Sequence, residues 1–81
     1  MNNEGVQRYY SNIVGVGVSV YDFKLTFGNI KDDNNANLDE CKEVEVVMSP
    51  QHAKAFIEIL ADHLRAYEDR FGTVNITPIS E

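Results

Sequence analysis

The sequence predicts an α+β fold in which a three-stranded antiparallel β-meander precedes one long C-terminal α-helix. Three observations support this prediction. Apolar residues occupy every second position of two adjacent segments, 13–20 and 23–27, and they do so again in 42–48; this is the period of a strand. Residues 50–71 instead repeat their apolar side chains at spacings of three and four, which is the period of a helix. The predicted element order is therefore β-β-β-α.

The first two strands are expected to form a hairpin. Valine recurs at alternate positions in the first, and Phe or Leu recurs in the same way in the second. A two-residue turn at Tyr21-Asp22 would pair Val20 with Phe23 and place both apolar sets on one side of the sheet. Tyr-Asp lacks the positive-φ preference of such turns, so a longer connection that begins at Ser19 is an alternative.

The third strand and the helix are separated by a clear boundary. The strand pattern of 42–48 stops at Ser49-Pro50. Ser49 is a favourable N-cap residue, and Pro50 fits the first helical turn, where its missing N–H costs nothing. The sequence therefore predicts a helix that begins at Pro50.

The predicted helix has one apolar stripe about five turns long. We expect this stripe to pack on the apolar side of the sheet. Gly72 is a suitable residue to follow the helix, and Val74 and Ile76 then alternate with polar residues, which allows an optional short final strand. The stripe consists of Ala53, Phe56, Ile57, Leu60, Leu64, Tyr67 and Phe71.

The chain length of 81 residues predicts a single domain, 1–81. Its ordered core is expected over about residues 9–72. Residues 1–8 are polar and without periodicity, which predicts a flexible N-terminal tail. The segment 31–40 is rich in Asp and Asn and predicts a solvated, flexible loop.

Composition narrows the classes of function. The chain has 13 acidic and 7 basic residues, for a net charge of -6, which opposes direct binding of nucleic acid because phosphate contacts need clustered Lys and Arg. A single cysteine, Cys41, excludes an intrachain disulfide and favours a reducing, cytoplasmic location. The sequence contains neither a signal-peptide pattern nor an apolar run long enough for a membrane span. We therefore expect a cytoplasmic protein without membrane contact.

The glycines of the first strand do not form a nucleotide-binding loop. Such a loop places its glycines after a strand and at the beginning of a helix. Gly15 and Gly17 lie inside a predicted strand, Val20 stands where a third glycine would be needed, and another strand follows. We expect no cofactor.

The same glycines favour contact with a protein partner. Glycine inside a strand often marks the close approach of another backbone. Gly15, Gly17 and Ser19 clear one side of the strand, with Tyr21 at the hairpin tip, so we expect these four residues to contribute to a homodimer or to another protein interface. The alternative is that this side of the sheet faces water.

The predicted helix also has a charged side opposite its apolar stripe. Glu58, Asp62 and Asp69 share this side with Arg65. A solvated helix surface explains such charges, and an acidic surface offered to a basic partner is the functional interpretation.

No catalytic or metal-binding residue is predicted. His52 and His63 are too far apart along one helix to share a metal ion. Cys41 has no neighbour that would activate its thiol. The polar loop contains Asp33, Asn35 and Asn37, but it lacks the glycine and the final Glu of a calcium loop, so whether it binds a cation is left open.

Four segments together resemble a known family. They are YSN at 10–12, DFKLTFG at 22–28, SPQHAK at 49–54 and YEDRFG at 67–72. This combination resembles the small bacterial and archaeal proteins called domain of unknown function 3467, over about residues 9–72. The resemblance implies no assigned reaction.

The leading hypothesis is a small, non-enzymatic, homodimerising protein-binding module. One alternative is an acidic inhibitor or nucleic-acid mimic encoded by a mobile element, in which the side chains of Asp32, Asp33, Asp39, Glu40, Glu43 and Glu45 would form one continuous acidic surface. The other is an enzyme, which would need a pocket with converging polar groups.

Overall fold

The computed structural model describes residues 5–31 and 37–76 of the chain. The chain divides into two compact units, Met1–Pro50 and Gln51–Glu81. The first contains the β-sheet and the second contains nearly all of the long helix. Each is described by itself below.

The first unit is built on a three-stranded antiparallel sheet. Its strands are β1 (Ile13–Val18), β2 (Phe23–Gly28) and β3 (Lys42–Met48), in the spatial order β1-β2-β3. This is the predicted meander, and with the long helix that follows it confirms the α+β prediction. The first strand ends two residues earlier than its valine pattern, because Val20 belongs to the turn.

The hairpin between β1 and β2 is closed by four residues instead of two. Val18 pairs with Phe23, so Val20 lies outside the ladder and the predicted pairing of Val20 with Phe23 is wrong. The alternative connection from Ser19 to Asp22 is the observed one. The observed pairing of Val18 with Phe23 is shifted by two residues from the pairing that a two-residue turn would give. An even shift keeps each side chain on the same side of the sheet, so the apolar residues still lie together.

The two sides of the sheet differ in chemistry. The glycine face includes the paired residues Gly15, Thr26 and Glu45 together with Gly17, Lys24 and Val47. The apolar face consists of nine residues, three from each strand: Val14, Val16, Val18, Phe23, Leu25, Phe27, Val44, Val46 and Met48.

A one-turn helix, α1 (Leu38–Cys41), lies in the segment for which the sequence predicts only a loop. Asn37 caps it, with its side chain accepting a hydrogen bond from the Asp39 amide at 2.9 Å. The helix contacts β1 and β2, and a Cβ at Gly15 would overlap the Leu38 side chain. Leu38 therefore covers part of the glycine face. Residues 32–36 of the predicted loop lie outside the described residues.

A bulge ends the pairing of β2 with β3. Phe27 pairs with Val44 but Gly28 pairs with Lys42, so Glu43 is the extra residue. The amide of Asn29 donates to the Cys41 carbonyl at 3.1 Å. Gly28 is buried at this point, and a Cβ there would lie 2.6 Å from the Cys41 carbonyl oxygen. The backbone of α1 thus occupies the space that a side chain at position 28 would need.

The long C-terminal helix is α2 (Pro50–Phe71). It begins and ends where the sequence predicts. Gly72 follows it with a φ of 106°, and its amide donates to the Glu68 carbonyl at 2.9 Å. This is the αL form of helix ending, which glycine adopts without steric cost. Residues 72–76 form no strand, so the optional final strand is absent from this stretch, and residues 77–81 lie outside the described residues.

The described part of the chain buries no hydrophobic side chain completely. Within the sheet unit Val16 is 60% exposed, and in the helix unit Leu60 is 53% exposed. The buried residues of the sheet are instead Thr26, which is 8% exposed, and Gly28. Both belong to β2, the central strand.

Among residues 5–31 and 37–76, no helix has the length and apolar character needed to cross a membrane.

Candidate interaction surfaces

The hairpin tip is held by the side chain of Ser19. Its hydroxyl accepts hydrogen bonds from the amides of Tyr21 and Asp22, each at 3.1 Å, and donates to the Asp22 carboxylate at 3.0 Å. The Ser19 amide donates to the Asp22 carbonyl at 2.9 Å. This turn leaves Tyr21 84% exposed. Ser19 therefore stabilises the turn, while the aromatic ring of Tyr21 lies exposed at its tip.

A shallow depression of about 330 Å³ lies beside the hairpin on the glycine face. Gly17 lies in its wall, and the nearest side-chain atom to a Cβ built there is Cε of Lys24, at 3.8 Å. The remaining lining residues are Val18, Ser19, Asp22, Lys24 and Val47. A side chain at position 17 would meet only ordinary van der Waals contact with Lys24, so the depression is compatible with the predicted approach of another molecule.

Gly15 has a different environment from Gly17, although both were predicted to face a partner. The side chain of Leu38 lies against Gly15 within the same chain. The absence of a side chain at position 15 is thus explained by an internal contact. The sequence offers little signal for it, because Leu38 stands alone in a polar segment.

The apolar face is the side of the sheet that the sequence predicts to be buried. Its three β1 valines are between 57% and 65% exposed in the single chain, and Val46 in β3 is also exposed. The remaining five residues are half-buried. The face has no charged residue, and its central strand contributes Phe23, Leu25 and Phe27. The alternation of the sequence identifies its members, but alternation alone does not say what covers them.

The helix α2 carries a second exposed apolar surface, the stripe predicted from the sequence. Its aromatic and aliphatic members from Phe56 to Phe71 are between 37% and 65% exposed. Near its end the rings of Tyr67 and Phe71 lie 4.9 Å apart, and the guanidinium of Arg70 lies 5.4 Å from the Phe71 ring centre. Contacts within α2 therefore organise the end of the stripe.

The acidic residues predicted as an interaction surface are all exposed on α2. Glu58, Asp62 and Asp69 lie along the side opposite the apolar stripe, and Asp62 forms an ion pair with Arg65. An exposed pair of this type contributes little to stability. The helix thus brings these three carboxylates to one side.

The alternative of an acidic inhibitor or nucleic-acid mimic depends on six carboxylates, and the structure describes four of them. Asp39 and Glu40 are in α1, and Glu43 and Glu45 are in β3, whereas Asp32 and Asp33 lie outside the described residues. The Lys42 amine lies 4.0 Å from the Glu45 carboxylate, so a cation lies among them.

The histidines and the cysteine show no common site in the described part of the chain. His63 and His52 are both exposed on α2, and a ring nitrogen of His63 lies 2.9 Å from the Ile59 carbonyl. Cys41 is half-buried in α1. Within residues 5–31 and 37–76, no three His, Cys, Asp or Glu side chains are grouped so that they could hold a metal ion. Asp33 and Asn35, named in the sequence analysis as possible cation ligands, lie outside these ranges.

Comparison with known proteins places the chain in a family. A search of curated proteins and a search of solved structures gave no match. A family model described as "Protein of unknown function (DUF3467)" matches residues 1–76. This match covers most of the chain and includes all four segments on which the resemblance was based. The chain belongs to the DUF3467 family.

Proposed function

We propose that the chain is a non-enzymatic module that forms a homodimer and binds another protein. The observation that supports this proposal is the apolar face, four of whose nine residues are between 41% and 65% exposed. Contiguous exposed apolar surface on a small protein is typical of an interaction site.

The small size of the chain supports homodimerisation. A domain of 81 residues has little apolar surface to bury by itself, and small scaffolds compensate with disulfides, metals or association. One cysteine cannot form an intrachain disulfide. Two-fold association of identical chains is the commonest form of oligomer, so a second copy is the simplest source of the additional burial.

A dimer that uses the apolar face leaves the opposite side of the sheet free for a second protein. The hairpin tip offers Tyr21, and the depression beside Gly17 lies next to it. Tyrosine is enriched in protein interfaces because it combines an apolar ring with a hydroxyl. We place this interaction in the cytoplasm, where the single thiol of Cys41 would stay reduced.

The non-enzymatic part of the proposal rests on the polar groups of the depression. The hydroxyl of Ser19 accepts from two backbone amides and donates to Asp22. The hydroxyl of Ser19 and the carboxylate of Asp22 thus stabilise the turn. This structural role explains why they lie in the depression, and no catalytic role is needed to explain it.

Light scattering and affinity capture test the two parts of the proposal. We expect a mass of twice 9.2 kDa at micromolar concentration for the native chain. Val16→Asp places a charge on the apolar face and should give the mass of one chain, while Gly17→Ala, one residue away on the other face, should remain dimeric. A native chain that has the mass of one copy at every concentration contradicts homodimerisation.

For the second protein, capture from the native cell should recover the same partner with the native chain and with Asp62→Ala. Tyr21→Ala should lose it if the hairpin tip is the binding site. Recovery of no protein that depends on Tyr21 contradicts this role of the hairpin.

A further inference from the structure

The sheet has two edge strands, and they differ in how they are protected. Among residues 5–31 and 37–76 the strand order is β1-β2-β3, so β1 and β3 are the edges. Natural sheets protect an edge with charged side chains, proline or a bulge, because its N–H and C=O groups otherwise pair with another chain. β3 contains Lys42, Glu43 and Glu45, and its pairing with β2 is interrupted by a bulge. The sequence of β1, IVGVGV, has no charged residue and no proline, and its pairing with β2 keeps one continuous register. β1 is therefore the unprotected edge.

The hydrogen-bond alternation of the hairpin determines which backbone groups of β1 face outward. In an antiparallel pair every second residue exchanges its N–H and C=O with the neighbouring strand, and the residues between direct theirs to the other side. The Ser19 amide donates to the Asp22 carbonyl, so in the same register the backbone groups of Gly17 and Gly15 also face β2. The residues whose backbone groups face the free edge are Val14, Val16 and Val18. The interior of a helix cannot satisfy these groups, because its own N–H and C=O groups are bonded within the helix.

We propose that β1 pairs antiparallel with β1 of a second copy, so that two three-stranded sheets become one continuous sheet. This inference rests on the homodimer of the proposed function and names the strand that forms it. The two-fold axis passes through Val16, perpendicular to the sheet. Val16 then pairs with its own copy, and Val14 of each chain pairs with Val18 of the other. This register brings every outward-facing residue of β1 into a hydrogen-bonded pair, and each such pair exchanges two bonds.

The side chains of β1 suit this register on both sides of the sheet. On the apolar face, valine lies opposite valine in every hydrogen-bonded pair, and packing between β-branched side chains on neighbouring strands stabilises a sheet. On the glycine face, Gly15 of each chain lies opposite Gly17 of the other, so no side chains collide where the two strands approach most closely. Because the axis is perpendicular to the sheet, the apolar faces of both copies lie on the same side.

The charge distribution favours a second copy at β1 over a second copy at β3. Each chain has a net charge of -6, so self-association is opposed wherever acidic groups approach one another. Pairing of β3 with its own copy would bring Glu43 and Glu45 of two chains together, and like charges on neighbouring strands destabilise a sheet. The residues of β1 carry no charge. At this edge two identical acidic chains therefore meet without repulsion between opposing side chains.

The proposed contact is smaller than a standard protein interface, because each chain contributes one strand. When a strand is added to a sheet edge, main-chain hydrogen bonds supply the affinity. We therefore expect a dimer that dissociates on dilution.

Residue-resolved amide hydrogen exchange of the native chain tests the proposal. Exchange is measured at a concentration where light scattering shows the dimer and at one where it shows the single chain. The amides at positions 14, 16 and 18 should exchange roughly tenfold or more slowly in the dimer, because only there do they donate hydrogen bonds. The amides at positions 45 and 47 of β3 face outward by the same alternation and are the internal control. Their exchange should be equally fast at both concentrations.

A proline substitution tests the same edge by removing one outward N–H while keeping an apolar residue. Val16→Pro deletes the central donor of the proposed pairing but none of the hydrogen bonds between β1 and β2, and an edge strand tolerates proline for this reason. The variant should have the mass of one chain at a concentration where the native chain is dimeric. Val47→Pro makes the matched change at the β3 edge and should remain dimeric. Slow exchange at positions 15 and 17 verifies that the hairpin of Val16→Pro is folded, and a folded variant that stays dimeric overturns the proposal. If Val16→Pro does not fold, the exchange measurement on the native chain decides.

The remaining outcomes separate this proposal from the proposed function. Slower exchange at positions 45 and 47 in the dimer would place the second copy on β3 and overturn the pairing at β1. A native dimer in which exchange at positions 14, 16 and 18 is unchanged also overturns it and leaves the homodimer intact. Slow exchange at these positions in the single chain would mean that another segment of the same chain pairs with β1, which again overturns the proposal. A native chain with the mass of one copy at every concentration contradicts both.

Discussion

At the residue scale, the glycines of the sheet serve three different purposes. Gly28 lies against the backbone carbonyl of Cys41, Gly15 lies against the side chain of Leu38, and Gly17 has the Lys24 side chain at ordinary van der Waals distance. A backbone neighbour cannot move without breaking the bulge, whereas a leucine side chain can change its rotamer. The three positions therefore differ in how much a substitution costs.

Gly28→Ala should destabilise the first unit more than Gly17→Ala. The new methyl group at position 28 would lie 2.6 Å from the Cys41 carbonyl oxygen, and such overpacking costs about 1 to 3 kcal/mol. At position 17 the nearest side-chain atom is 3.8 Å away, so the change should stay within about 0.5 kcal/mol. Urea denaturation measures both free energies of unfolding. Equal stability of the two variants would contradict the close approach at Gly28.

Gly15→Ala tests whether this glycine serves an internal contact or a partner. We expect it to lower the free energy of unfolding by about 1 kcal/mol, because Leu38 must shift. In a Leu38→Ala background the same substitution should cost less, and a double-mutant cycle measures the difference. The cost at position 15 should not depend on protein concentration. A cost that appears only where the chain is dimeric would assign Gly15 to the interface instead.

At the scale of elements, the sequence determines some boundaries better than others. The ends of α2 are predictable because Pro50 and Gly72 act through the backbone itself, one by its fixed φ and one by its positive φ. The hairpin register is not, because it depends on the Ser19 hydroxyl, a side-chain contact that alternation does not encode. The short helix α1 is too brief to show a period, so it resembles a polar loop.

The same limit applies to the candidate surfaces. The side of the sheet on which each residue lies is predictable, because an even change of register preserves it. What covers each side is not, because Leu38 reaches the glycine face from a segment with no apolar pattern.

Ser19→Ala should loosen the hairpin without unfolding the sheet. The substitution removes the acceptor of the Tyr21 and Asp22 amides and the donor to the Asp22 carboxylate. The turn is exposed, so water replaces part of what is lost and the net cost should be about 1 kcal/mol. Amide hydrogen exchange should increase at positions 21 and 22. Ser11→Ala, which removes one exposed bond to the Ile13 carbonyl, is the control and should leave exchange at the hairpin unchanged.

At the scale of the whole molecule, the proposed homodimer would make stability a property of the assembly. The described residues of the single chain include no completely buried hydrophobic side chain, whereas a stable domain obtains most of its folding free energy from such burial. A partner that binds only the folded chain supplies that burial and stabilises the folded state by mass action.

The last prediction follows from this coupling and concerns Leu60, which is 53% exposed in the single chain. If Leu60 contacted nothing more than it does in one chain, Leu60→Ala would cost well below the 2 to 5 kcal/mol typical of a buried leucine. If a second copy covers Leu60 in the proposed homodimer, the loss should reach about that range per chain.

Thermal midpoints measured over a hundredfold range of concentration distinguish these outcomes. The native midpoint should rise with concentration, because dissociation accompanies unfolding. Leu60→Ala should lower the midpoint and shift the dissociation of the dimer to higher concentration, while Glu58→Ala, on the opposite side of the helix, should change neither. A native midpoint that is independent of concentration, together with a large loss for Leu60→Ala, would mean that Leu60 is buried within its own chain.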